Sequence, residues 1–85
     1  LSALKNCKNL KTLVISDCNC SHYEVIAELK KLEYLRIVDS NIEEAEPILQ
    51  LEFLQNITLD NTPLAEKEEE MSKIQESFPK ASILY

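Results

Sequence analysis

This 85-residue chain contains no glycine and no tryptophan, and only one histidine, His22. Without glycine there is no glycine-rich loop whose amides can close on a phosphate. Left-handed backbone positions must also fall to other residues, and Asn19 and Asn41 are the natural ones. Aromatic residues are 6% of the chain, which suits aliphatic ladders better than an aromatic-centred core. No run of about 18 apolar residues occurs, so no membrane-spanning helix is expected. At Leu1 no charged segment leads into an apolar run, so no signal peptide is visible. Cys18-Asn19-Cys20 is shorter than the C-x-x-C spacing of redox and zinc sites, and no second pair completes a metal set. No catalytic, cofactor or metal site emerges, and the chain reads as non-enzymatic. Nine basic and fifteen acidic residues give a net charge of −6. That balance argues against direct binding to a phosphate backbone, which needs clustered Lys and Arg.

What the chain does have is a pattern recurring every 22 residues. Leu10, Leu13, Ile15, Cys18 and Cys20 are followed by Leu32, Leu35, Ile37, Ser40 and Ile42, then by Leu54, Ile57, Leu59, Thr62 and Leu64. Each reads L-x-x-L-x-L-x-x-[small polar]-x-L. Between these signatures apolar residues fall every third position: Tyr23, Ile26, Leu29, Leu32, Leu35. That period is neither the 2.0 of a strand nor the 3.6 of an α-helix; it fits a short strand followed by 3₁₀-like turns. The β-branched residues at Val14-Ile15, Arg36-Ile37-Val38 and Thr58-Leu59 place the strands. Stacked coils then form an α/β architecture: a solenoid with a short parallel sheet on its concave face and short helices on its convex face. Leu13, Ile15, Leu35, Ile37, Ile57 and Leu59 point inward. Cys18, Ser40 and Thr62 occupy the loop position where a small polar side chain serves buried backbone groups.

The register puts Cys7 and Cys20 at apolar positions. All three cysteines read as reduced, buried thiols, which favours a reducing, intracellular setting. A Cys20–His22 nucleophilic pair needs an exposed Cys20 and so is not expected. Asn19-Cys20-Ser21 and Asn56-Ile57-Thr58 match the glycosylation sequon by chance.

After Leu64 the period breaks. Ala65 to Glu76 is strongly helix-favouring, with an apolar stripe of Met71, Ile74 and Phe78, and Pro79 stops it. Phe78, Ala81 and Ile83 restate the signature 24 residues after Leu54, Ile57 and Leu59. The expected single domain over 1–85 therefore divides into repeats over 1–64 and a C-terminal cap over 65–85. Leu1, Leu4 and Cys7 start mid-repeat, so the chain reads as the end of a longer array, with possible packing through its uncapped N-terminal edge.

These signatures resemble the leucine-rich repeat superfamily over essentially the whole chain. The 22-residue class is similar to that of protein-phosphatase regulatory subunits, a spliceosomal leucine-rich subunit, an axonemal dynein light chain and bacterial internalins. Leu59-Asp60-Asn61-Thr62-Pro63-Leu64, a helix, then Phe78-Pro79-Lys80-Ala81 is similar to the L-x-x-N-P, helix, L-P-x-L cap of the eukaryotic members. Thr62-Pro63 replaces Asn-Pro there, and Tyr85 stands where Asp often ends that cap. The resemblance implies protein binding through the concave face. Two alternatives stand beside it: a structural segment of a larger repeat protein without a partner of its own, and a non-catalytic subunit of an RNA–protein assembly.

The concave positions form ladders: Thr12, Tyr34, Asn56; Val14, Arg36, Thr58; Ser16, Val38, Asp60; Asp17, Asp39, Asn61. Tyr34 and Arg36 share one face of the central strand and are the residue types that most often dominate interfaces. The expected protein-binding site is Val14, Tyr34, Arg36, Val38 and Thr58, edged by Asp17, Asp39 and Asp60. The aspartates suit a basic partner or simply solvate the edge. Lys5, Lys8, Lys11, Lys30 and Lys31 collect along the opposite rim, where the bland reading is solubility.

Overall fold

The computed structural model describes residues Leu1–Tyr85, the side chain of Ser2 excepted. Four strands form one parallel sheet in sequence order: β1 (Thr12–Ser16), β2 (Tyr34–Val38), β3 (Asn56–Thr58) and β4 (Ser82–Leu84). A short 3₁₀ turn at Ser2–Asn6 precedes β1; another at Tyr23–Glu28 lies between β1 and β2, and the four-residue helix α1 (Glu46–Leu49) between β2 and β3. Alternate strand residues face inward because successive side chains of a pleated strand point to opposite sides. Leu13, Ile15, Leu35, Ile37, Ile57 and Leu59 are all buried, whereas Thr12, Val14, Tyr34 and Arg36 are exposed. The three-residue period delivers the other wall of the core: Ile26, Leu29 and Leu32 from one coil, Ile48, Leu51 and Leu54 from the next. Fully burying an aliphatic side chain of this size contributes about 1.5–3 kcal/mol.

Each coil turns sharply as its strand ends. Asp17, Asp39 and Asn61 stand there with φ of 52°, 51° and 54°. They are spaced by the repeat, so every coil uses the same left-handed corner, and His22 adds another with φ of 64°. Asn19 and Asn41 are therefore not the left-handed residues that the lack of glycine suggests. Asp and Asn share the ability to occupy this region, because a short polar side chain can bond locally. Asn41 instead bridges two coils. Its Oδ1 accepts from the Cys20 N–H at 3.0 Å and the Tyr23 hydroxyl at 2.6 Å. Its Nδ2 donates to Asn19 Oδ1 and to the Cys20 carbonyl. Burial nonetheless holds the Tyr23 hydroxyl above the usual tyrosine pKa.

The loop position works as its residue type suggests. The Ser40 hydroxyl accepts from the Cys18 N–H and donates to the Val38 carbonyl; Thr62 Oγ1 donates to the Leu59 carbonyl and accepts from the Ala65 N–H. The cysteines depart from expectation. Cys7 is exposed, because no described coil packs against its side of the first turn. Cys18 and Cys20 are half-buried with their sulfurs in contact, and their Cα atoms, 5.2 Å apart, are within the range that a disulfide spans. The two side chains meet across Asn19, so they are not the separate, fully buried thiols that the register suggests.

The helical run after Leu64 is also broken. A 3₁₀ turn over Leu64–Glu66 ends at Lys67, whose backbone is extended (φ −96°, ψ 97°). Lys67 Nζ reaches back to the Glu43 carbonyl at 3.1 Å. Helix α2 (Glu68–Ser77) then starts with Glu68, Glu69 and Glu70 in its first turn, where the helix dipole favours negative charge. Met71, Ile74 and Phe78 are buried as the stripe requires. The returning strand is displaced from the expected register. Ile83 pairs with Ile57, 26 residues on, rather than Ala81 at 24. The difference from the 22-residue repeat is four residues, about one α-helical turn. Compact α2 consumes that chain length.

Glu70 ties α2 to the preceding coil. One oxygen accepts from the Ala45 N–H at 3.1 Å and the other pairs with Lys73 at 2.8 Å. The Lys73 bond and then the Ala45 amide hold the Glu70 carboxyl below its ordinary value of 4.5. A lowered carboxyl stabilises the fold above its unfolded pKa and loses that contribution as pH falls through the folded one. Between about pH 6 and about pH 3 the fall in melting temperature should be smaller for Glu70→Gln than for the parent chain, as followed by circular dichroism. At the corner, Asp39→Val should cost about 1–2 kcal/mol or more, because a β-branched residue resists positive φ. Asp39→Gly should cost less, and urea melts of the two variants separate backbone strain from loss of the Asn61 bond.

Candidate concave-face site

The sheet pairing builds the site rung by rung. Thr12, Tyr34, Asn56 and Ser82 are in register, as are Val14, Arg36, Thr58 and Leu84; Ser16 pairs with Val38. Parallel strands sit about 4.8 Å apart, so each ladder sets its side chains shoulder to shoulder. Tyr34 is 43% exposed and Val14 59% exposed, although both are sizeable apolar groups. Arg36 is exposed between them on the central strand, and Val38 and Thr58 are half-buried. The structure thus brings Val14, Tyr34, Arg36, Val38 and Thr58 onto one sheet face.

Asp17, Asp39 and Asp60 are exposed just past the strand ends. The Asp17 N–H donates to the Val38 carbonyl and the Asp39 N–H to the Asp60 carbonyl, which continues the ladder through the corners. Asn61 Nδ2 donates to Asp39 Oδ1 at 2.7 Å. The third rung is therefore an amide that accommodates the neighbouring carboxylate, not a third like charge. Asp17 and Asp39 also line a depression of about 460 Å³ together with Ser40 and Pro63. Their left-handed backbone is reason enough for their residue type. The acidic edge belongs to the turn as well as to the surface.

Sequence reasoning missed Leu84. At a 24-residue offset it falls beyond the strand, opposite Asp60; in the observed pairing it sits beside Thr58 and is 62% exposed. It extends the apolar character of the face from Val14 at one edge to the last strand. Only the length of α2 could have signalled it. Tyr85 lies on the other side, where its hydroxyl accepts from Gln75 Nε2 at 3.0 Å.

Other polar groups lie off this face. His22 Nδ1 is 3.1 Å from Glu24 Oε1. The Glu24 carboxyl lies below its ordinary range, chiefly through its own backbone N–H and then through His22. A cavity of about 570 Å³ between the Tyr23–Glu28 turn and α1 contains His22, Glu24, Glu43 and Glu46 but no concave-ladder residue. Among the described residues no three His, Cys, Asp or Glu side chains are gathered as metal ligands would be, and no helix is long and apolar enough to cross a membrane.

No family model matches the chain. No curated protein matches it either. Among solved structures it is similar to a leucine-rich repeat protein of Leptospira interrogans, with 30% identity and a TM-score of 0.59. The match covers 73% of this chain and 16% of that one, so this chain spans about a sixth of that protein's length. The shared fold, the sequence identity and the parallel 22-residue register together support the leucine-rich repeat superfamily as the family of this chain.

Proposed function

We propose that this chain is a non-enzymatic protein-interaction module whose concave sheet face binds a partner protein, with α2 and β4 serving as the C-terminal cap of a solenoid. The observation that carries this reading is the row of exposed Val14, Arg36 and Leu84, with half-buried Thr58 among them, beside exposed Tyr34. Apolar side chains left on a regular sheet face, with an arginine and a tyrosine at its centre, have the composition of an interface core. The face is already ordered by the sheet behind it, so binding costs little conformational entropy. The Leptospira neighbour is a leucine-rich repeat protein, which supports protein binding in general.

In the capping role, α2 buries Met71 and Ile74 against the repeat and presents Glu68, Glu69, Glu76 and Lys73 outward. A polar outer face of this kind covers the helical side of the last coil. A second reading, a structural segment without its own partner, draws support from the other end. There, among the described residues, nothing pairs with the outer edge of β1, and Leu1, Leu4 and Leu10 are half-buried. It expects self-association through that edge.

Once a partner has been isolated on the immobilised chain and purified, titration calorimetry decides. Tyr34→Ala with Arg36→Ala should weaken binding by about 2 kcal/mol or more, with circular dichroism and melting temperature unchanged. Equal affinity of the double variant rejects the concave face as the site.

A further inference from the structure

The rim at the N-terminal ends of the strands is separate from the concave face and carries a different chemistry. Five of the nine basic residues of this acidic chain, Lys5, Lys8, Lys11, Lys30 and Lys31, come before β1 or β2. The 22-residue stacking arranges the rim into ladders. Lys31 Nζ donates to Asn9 Oδ1 at 3.0 Å on the neighbouring coil. Gln55 Nε2 donates to Glu33 Oε1 at 3.1 Å, and Lys11 Nζ lies 4.0 Å from Glu33 Oε2. Lys30 Nζ donates to the Gln50 carbonyl at 3.3 Å. Phe53 stands among these ladders, 59% exposed, and shares a shallow depression of about 410 Å³ with Lys11, Lys31, Glu33 and Gln55.

Two features of this rim are unlike a solvated lysine face. Lys30 and Lys31 are held by neutral oxygens, so their ammonium groups are positioned but not neutralised; among the described residues neither forms an ion pair. An exposed phenylalanine beside Lys31 adds an apolar anchor that solubility does not require. We propose that this rim is a docking surface for an acidic peptide segment of a partner protein, one that places carboxylates on Lys30 and Lys31 and an apolar side chain on Phe53.

Charge and extent select the occupant. Three coils about 4.8 Å apart give a patch of about 10 Å, which receives two or three carboxylates. A long polyanion overruns it onto the remaining surface of a chain of net charge −6. Glu33 and Glu52 interrupt the lysines, which suits discrete carboxylates spaced along a peptide rather than a continuous phosphate ladder. The apolar anchor adds a contact to which phosphates contribute nothing.

The test is fluorescence anisotropy of the 85-residue chain with a short fluorescein-labelled peptide of glutamates flanking one leucine. Saturable binding is expected, loosened by added salt. Lys30→Glu with Lys31→Glu should weaken it at least about tenfold, and Phe53→Ala about threefold. Tyr34→Ala with Arg36→Ala should leave it unchanged, which separates this surface from the concave one. All these residues are exposed, and unchanged circular dichroism confirms folded variants. Absence of binding, or the same affinity after charge reversal, overturns the proposal. So does equal or tighter binding of a single-stranded oligonucleotide of the same charge or of phosphatidylserine vesicles.

Discussion

Every coil of this chain must leave its strand through a sharp corner, and without glycine it does so at Asp17, Asp39 and Asn61. The rest depends on that corner. If the chain continued straight, the next apolar residue would not reach the core, and the three-residue period would have nothing to stack upon. Placing L-residues at positive φ costs free energy. The cost is offset by bonds that exist only when coils are neighbours: Asn61 to Asp39, Asn41 to Cys20 and Tyr23, Ser40 to Cys18. The corner strains each coil, and the adjacent coil relieves it. That makes the fold a property of the stack and not of any single repeat.

The sequence pattern predicted the sheet rung by rung for β1 to β3, because the 22-residue spacing translates directly into parallel pairing. Tyr34 opposite Thr12 and Asn56, and Arg36 opposite Val14 and Thr58, follow from counting alone. Counting failed where a different structure consumes chain at a different rate. Helix α2 advances less per residue than an extended loop, so the last strand slid from the expected offset and carried Leu84 onto the exposed sheet face. The corner residues were missed for another reason. Both Asn and Asp accept left-handed backbone, and composition cannot say which of Asp17, Asn19, Asp39 and Asn41 will use it. The distinction lies between coils: the Asn41 side chain has both a donor and an acceptor, and only the bridging role needs both.

The same periodicity that builds the core also sorts the surface. One strand position repeated over successive coils becomes a ladder, so a bias at that position becomes a stripe. Val14, Arg36, Thr58 and Leu84 make one, mixed and partly apolar. Asp17, Asp39 and Asn61 make another at the far ends of the strands, and Asn9, Lys31 and Phe53 lie along the rim at the near ends. Three surfaces of different chemistry thus run in parallel across a body only 31 × 27 × 16 Å. Short-range screening keeps them distinct, since charges more than about 8 Å apart in water interact weakly at physiological ionic strength.

Burial along the stack shows where this order is weakest. The inward residues of β1, Leu13 and Ile15, remain 8% and 6% exposed, while Ile37 and Ile57 are fully buried. Among the described residues Leu35 and Ile37 have coils on both sides, and the β1 coil has one. Nearest-neighbour stabilisation then makes local opening easiest at β1 and hardest at β2 and β3. Tyr34 and Arg36 stand on the best-supported strand, and Val14 on the least. A ligand that touches all three must hold the β1 coil in register, and part of its binding free energy goes into that ordering. A ligand confined to Tyr34, Arg36 and Thr58 meets a surface already in place. The central strand is therefore the best-supported part of the exposed sheet face, for the same reason that it is the centre of the core.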